Sequence, residues 1–214
     1  MNVIYEGPQD LPDTLPIFPL AGALLLPRGQ MPLNIFEPRY LAMVDAALAG
    51  PRLIGMVQPR DPEEGGAMPE LFEVGCVGRV VQWAETGDGR YLISLTGIAR
   101  FDLLDEVSGF APFRQRRVSY DRFVSDFRPR AGEEAVDRPA LLTALRSFTQ
   151  AAGLQMDWDG VEQTPNEALV NALSMLAPFG FREKQALLEA ADLKSRAEML
   201  VALAEIELAK NGPA

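Results

Sequence analysis

The chain has 214 residues, of which 48% are hydrophobic and 23% charged, so it can bury a core as one large domain or two small ones, and wholesale disorder is excluded. Its 20 Lys and Arg against 30 Asp and Glu leave a net charge of −10. That argues against nucleic acid or an anionic membrane as the main partner, since phosphate binders carry a basic face. Histidine is absent and Cys76 is the lone cysteine. Ser-His-Asp and Cys-His catalysis, a structural zinc site and an intramolecular disulfide are therefore all excluded.

Taken in chain order, residues 1–14 carry Gly7, Pro8 and Pro12 among polar neighbours and read as a loose leader. Leu15 to Pro27 is the most apolar stretch near the start. Asp10 and Asp13 stand where a signal peptide has its basic leader, Pro16, Pro19 and Pro27 interrupt the stretch, and it is too short to span a bilayer. It reads as a buried strand and loop, and a cytoplasmic location is expected. Met31 to Phe36 is a second strand candidate. Pro38 suits a first helical position, Leu41, Val44 and Leu48 recur on one helical face, and Gly50-Pro51 ends the helix. Leu53 to Val57 reads as a strand, and Asp61 to Pro69, with Gly65-Gly66, as a surface loop.

The clearest β signal follows. Val74–Glu85 and Arg90–Val107 flank Thr86-Gly87-Asp88-Gly89, whose Asp-Gly pair predicts a hairpin turn. Tyr91, Ile93 and Leu95 alternate with Leu92, Ser94 and Thr96, and Gly97 predicts a bulge or bend. Phe113 to Tyr120 adds a strand, and such a succession predicts a small barrel or a strongly bent sheet over residues 15–122. Residues 123–138 read as a linker. Beyond it, over 139–210, the apolar period changes from two to about 3.6. Leu141, Leu145, Phe148 and Ala152 form one helical stripe closed by Gly153. Thr164-Pro165-Asn166-Glu167 reads as a capping box opening a helix whose apolar face is Leu169, Leu173 and Leu176. Arg182 to Ala191 is a third helix, and Ser195-Arg196-Ala197-Glu198 reads as a capping box opening the last one.

Several motifs bear on chemistry. The three lysines, Lys184, Lys194 and Lys210, lie outside any phosphate-binding glycine loop, and Gly75-Cys76-Val77-Gly78 reads as strand with close backbone contacts. Cys76 reads as a small core residue. The carboxylate pairs Glu63-Glu64 and Asp105-Glu106 read as solvated charges. From Arg114 to Arg130 six arginines face Asp121 and Asp126, with Phe113, Tyr120, Phe123 and Phe127 interleaved. Arg114, Arg116 and Arg117 are thus the candidate RNA patch, or else arginines guarding an edge strand. Pro178-Phe179-Gly180-Phe181 is either core packing at a helix junction or part of an apolar groove for a partner peptide.

Leu15-Pro-Ile-Phe-Pro-Leu20 and, after a gap, Pro32-Leu-Asn-Ile-Phe-Glu-Pro-Arg-Tyr40 resemble the opening of the Lon N-terminal domain family, the substrate-recognition domain of Lon ATP-dependent proteases. Phe36 to Tyr40 resembles its free-standing bacterial members in particular. The likeness continues through Val74–Gly78, Leu95–Phe101 and Glu183–Glu189, covering about residues 15–209. It implies an α+β architecture, a PUA-like β-barrel with one embedded helix followed by a helical bundle. In Lon an ATPase domain and a Ser-Lys protease domain follow; this chain stops at Ala214 with neither a phosphate loop nor such a dyad. The expectation is a non-enzymatic module that binds proteins or unfolded polypeptide segments, with a protease or chaperone machine as a further partner, and with no cofactor, metal or membrane contact. RNA binding and a cryptic hydrolase or small-molecule binder are the rival expectations. Phe36, Tyr40, Phe179 and Phe181 are the candidate peptide contacts. Glu37, Pro38 and Arg39 match the family motif and are expected to set a helix start.

Overall fold

The computed structural model describes residues 3–62, 68–151, 153 and 155–211. The expected roles of Glu63-Glu64, Gly65-Gly66 and Ala152 lie outside the described residues. The chain divides into two compact units, Met1–Pro129 and Arg130–Ala214.

In the first unit Thr14–Pro19 (β1), Gln30–Ile35 (β2), Leu53–Val57 (β3), Val74–Glu85 (β4), Tyr91–Glu106 (β5) and Gln115–Ser119 (β6) form one sheet in the order β2-β5-β4-β3-β1-β6. The far end of β5 also pairs with β6, through Asp102–Ser119 and Leu103–Val118. The sheet thus curls on itself in the manner expected of a PUA-like barrel, with β2 attached to β5 alone. All pairs are antiparallel except β1 with β3.

The hairpin forms where the sequence predicts it. The Thr86 amide donates to the Arg90 carbonyl at 2.8 Å, and Gly89 takes the left-handed conformation, φ 77°, that the turn demands. Ile93, Leu95, Ala99 and Phe101 point into the core while Leu92 is exposed. Opposite Val77 and Gly78 the β5 partners are Ala99 and Gly97, so Ile98 is the extra residue of a bulge. Gly97 is required there by contact: a Cβ on it would lie 2.1 Å from the Leu26 carbonyl oxygen. The loop before β2 crosses at that point, with the Arg28 amide on the Gly97 carbonyl at 2.8 Å.

Pro38–Ala49 (α1) begins at the predicted proline. Its buried face is Tyr40, Met43, Val44 and Ala47, while Leu41 and Leu48 are half-buried. The expected stripe is therefore rotated by about one residue, because Tyr40 packs its ring against Phe18, with centroids 4.4 Å apart.

Two boundaries differ from expectation. The leader is anchored: Pro8–Asp10 forms a 3-10 turn, and Leu11 is buried among Leu15, Phe101 and Tyr120. Burying such a side chain stabilises by about 1.5–3 kcal/mol, which overrides the Pro/Gly composition. The first part of the expected linker belongs to the β unit. Asp121–Phe127 is a kinked 3-10 segment that buries Phe123, Asp126 and Phe127.

The second unit is helical: Arg138–Ala151 (α2), Trp158–Gln163 (α3), Asn166–Leu176 (α4), Phe181–Glu189 (α5) and Leu193–Asn211 (α6). The Asp137 carboxylate accepts the Ala140 amide at 3.0 Å at the start of α2. The short α3, capped by Asp157 on the Gly160 amide, was not expected. Its presence changes the role of Thr164, whose hydroxyl donates back to the Gly160 carbonyl at 2.7 Å and closes α3 instead of capping α4. Likewise α6 starts before the predicted box, where the Asp192 carboxylate accepts the Ser195 amide at 2.8 Å. That bond holds the Asp192 carboxyl below its ordinary pKa. Among the described residues no helix is long and apolar enough to cross a membrane.

Candidate apolar groove and the family-motif pocket

The helical unit contains an apolar groove of about 320 Å³. One wall is α2, with Leu145 and Phe148; another is α6, with Leu200 and Val201; α4 supplies Leu169, Leu173 and Leu176. The groove exists because apolar residues of α4 extend beyond its buried side. Its core side is Val170, Asn171 and Ser174, together with Leu169. Leu173 is half-buried and Leu176 is 82% exposed. The predicted stripe Leu169, Leu173, Leu176 therefore runs from the interior, at Leu169, along the groove to its open end at Leu176. After α4 the chain turns extended at Ala177 and passes through Pro178, which places half-buried Phe179 on the groove. Lys184 donates to the Met175 carbonyl at 3.3 Å, near the exposed end of α4. Partial burial pushes its pKa down. Phe181 does not join Phe179 there: it is the first residue of α5, and the Arg182 guanidinium lies 5.6 Å from its ring centre.

In the β unit a second concavity, of about 400 Å³, brings together residues far apart in sequence: Arg39, Tyr40, Met68, Glu106, Phe113 and Arg114. Arg39 donates to Glu37 at 3.1 Å and lies 4.5 Å above the Tyr40 ring, so the motif charges are spent on each other at the start of α1. Pro38 occupies the first turn of that helix. Tyr40 itself is a core residue, 7% exposed, and lines this concavity. Burial raises its pKa. Phe36 is 60% exposed, with the Arg90 guanidinium 5.8 Å from its ring centre.

The arginine-rich segment is largely committed within the β unit. Arg114 grips both oxygens of Glu106, at 2.9 and 2.7 Å, and donates to the Pro69 carbonyl at 2.7 Å. Its hydrogen bond is the main cause of the lowered Glu106 pKa. Arg116 donates to the Leu104 carbonyl and to Glu106. Arg122 pairs with Asp102 at 3.1 Å. Arg117 is exposed. Tyr120, Phe123 and Phe127 are buried and present no faces for stacking bases.

Sequence reasoning missed two arginine clamps. Arg100 is buried against Asp126. Arg138 holds the end of α3 through the Val161, Glu162 and Thr164 carbonyls, at 2.8, 2.9 and 2.9 Å. Nothing local marks either pair. Met156 and Val161 also line the groove; with α3 unrecognised, no periodicity pointed to them. Among the described residues no group of three or more potential ligands gathers for a metal.

The substrate-binding domain family of ATP-dependent protease La (LON) matches residues 14–205. Lon protease 2 of Myxococcus xanthus is 28% identical over 207 residues, covering 91% of this chain and 24% of that protein. Lon protease 2 of Sorangium cellulosum is 29% identical over 203 residues, covering 89% and 24%. The chain thus spans about a quarter of the length of these relatives. Among solved structures, a Lon N-terminal domain protein from Xanthomonas campestris superposes with a TM-score of 0.60 at 21% identity, covering 88% of this chain and 97% of that one. The N-terminal domain of a Mycobacterium avium complex Lon protease gives 0.63 at 17% identity, covering 90% and 98%. At these identities the superpositions speak to the fold, and the fold is the same. With the family match running over nearly all of the two units described, the chain belongs to the Lon substrate-binding domain family.

Proposed function

We propose that this chain is a binding module without catalytic chemistry of its own, and that it takes apolar segments of polypeptide into the groove formed by α2, α4 and α6. The observation that carries the reading is the exposure of Leu176 beside half-buried Phe179 on an otherwise apolar wall. Large apolar side chains left open on a concave surface mark an interaction site. Residues 131–214 hold 7 basic and 13 acidic side chains, so a segment with basic residues flanking its apolar core is favoured. Handing such a segment to a protease or chaperone machine is the matching cellular role, and a cytoplasmic location fits the lone buried thiol of Cys76.

The test is fluorescence anisotropy with a labelled peptide carrying a Leu-Val-Leu-Phe core between lysines. A dissociation constant on the order of 10 μM is expected, weakened about tenfold in the double variant Leu176→Ser, Phe179→Ser. An unchanged affinity in that variant would sink the reading. The RNA alternative is the weaker reading: Arg114 and Arg116 are engaged by Glu106 and backbone carbonyls, which leaves Arg117 as the exposed member of the patch.

A further inference from the structure

A third concavity, of about 490 Å³ and wholly within the β unit, is lined by Arg28, Arg52 and Arg79 together with Tyr5 and Thr96. Val81, Ile98 and Phe127 give it apolar walls. Asp126 also lines it, but both oxygens of that carboxylate are held by Arg100. The pocket is therefore a concentration of positive charge in a chain of net −10.

The three guanidiniums are not equivalent. Arg28 donates to the Asp126 carbonyl at 2.7 Å. Arg79 uses one terminal nitrogen, donating to the Tyr5 hydroxyl at 3.0 Å and the Pro51 carbonyl at 2.7 Å. Its remaining N–H groups have no partner among the described residues. The Arg52 side chain makes no hydrogen bond or ion pair with any described residue. The backbone adds a second, independent observation. Of the three non-glycine residues at positive φ among the described residues, Arg28, Arg52 and Arg130, the first two, at φ 65° and 64°, line this pocket. Glycine or asparagine would hold that conformation with less strain. Strained non-glycine residues cluster where the side chain has a use. For Arg28 the bond to Asp126 supplies a structural use; the Arg52 backbone is held by Ala47 and Val80, but its side chain has no such use among the described residues.

We propose that this pocket receives the terminal carboxylate of a polypeptide whose last residue is apolar. Guanidinium N–H groups match a planar carboxylate in charge and geometry, and the neighbouring Val81, Ile98 and Phe127 would cover the last side chain. The proposal rests on the reading of the chain as a polypeptide binder and names a second contact, in the other unit, for the same class of ligand.

The test follows the methyl NMR signals of Val81 and Ile98 during titration with N-acetyl-leucine and with N-acetyl-leucinamide. The acid is expected to shift them with a dissociation constant on the order of 1 mM, and the amide to bind at least about tenfold more weakly. Arg52→Gly should abolish the difference while leaving Tm within about 2 °C, because glycine relieves the backbone strain. A large loss of Tm in that variant would assign Arg52 to the fold and overturn the proposal. Equal shifts by acid and amide would overturn it too, as would full displacement of N-acetyl-leucine by an equal concentration of inorganic phosphate. A hexapeptide ending in leucine should bind at least as tightly as N-acetyl-leucine. If it does not bind, the ligand is a small carboxylate and the chain-end reading is wrong. Failure of the groove reading is separate: it shows as indifference to Leu176→Ser with the acid preference intact.

Discussion

Arg100, 2% exposed, grips Asp126 with Nε on Oδ2 and Nη2 on Oδ1, both at 2.8 Å, and its own amide donates to the same Oδ2 at 2.9 Å. The ring of Phe123 lies 4.5 Å from the guanidinium. These contacts fasten the 3-10 segment 121–127 onto β5, so the pair holds one side of the curled sheet. Breaking a buried pair leaves a charge with no counterpart, which costs about 3–5 kcal/mol. Asp126→Ala is expected to lose stability on that scale in urea unfolding followed by circular dichroism. The double change Arg100→Met, Asp126→Leu should recover most of the loss, because no charge is then left buried. If the double variant is as unstable as the single one, packing around the pair outweighs its electrostatics.

Gly97 makes a sharper steric prediction. A Cβ there would meet the Leu26 carbonyl, which belongs to backbone and has no free rotation to yield. Gly97→Ala should therefore cost about 2 kcal/mol or more. Gly87, at the hairpin turn with nothing within 4 Å, should tolerate alanine within about 0.5 kcal/mol. Midpoints of denaturant unfolding compare the two directly.

These cases show why some features were legible in the sequence and others were not. The hairpin rests on an Asp-Gly turn and on alternation, both local signals, and β4 and β5 followed. The Arg100–Asp126 pair joins polar residues 26 positions apart, and no local period marks it. The α3 helix is six residues long with Gly160 inside it, too short and too poor in propensity to register. Without α3 in view Thr164 reads as the cap of α4, whereas its hydroxyl bonds to the Gly160 carbonyl at the end of α3. On α4 the sequence shows Leu169, Leu173 and Leu176 as one apolar face but not what that face meets. Periodicity says which residues share a face; whether that face meets the interior or a groove depends on α2 and α6. For Tyr40 the family motif marks the residue but not its burial, since its ring packs on Phe18.

The Glu106 cluster predicts a pH dependence. Arg114 and Arg116 both reach its carboxylate, and the Arg114 hydrogen bond is the largest influence holding its pKa below the ordinary 4.5. A carboxyl whose pKa is lower in the folded state binds protons less readily there than in the unfolded chain. Its stabilisation is thus complete above about pH 4.5 and is lost as pH falls through the lowered value. Because the group is partly exposed, the effect is under about 1 kcal/mol. Glu106→Gln should be slightly less stable than the parent at pH 7, and the gap should close steadily below pH 4.5. A gap that persists unchanged at pH 2 would mean that the carboxylate charge is not its source.

Leu169 and Leu176 lie on the same side of α4 seven residues apart, one buried and the other 82% exposed. If the groove is a binding surface, truncating them must separate folding from binding. Leu169→Ala removes buried methyl groups and leaves a cavity, so a loss of about 2–5 kcal/mol is expected. Leu176→Ser removes a side chain already in water, so its effect on stability should stay within about 0.5 kcal/mol. Its effect on the Leu-Val-Leu-Phe peptide should be larger than its effect on the fold, because burial in the complex is the first time that side chain leaves solvent. About fivefold weaker binding with an unchanged unfolding midpoint is the expected outcome. The reverse pattern, a destabilised fold with unchanged binding, would mean that Leu176 is covered in solution by the protein itself and that the groove is part of its interior.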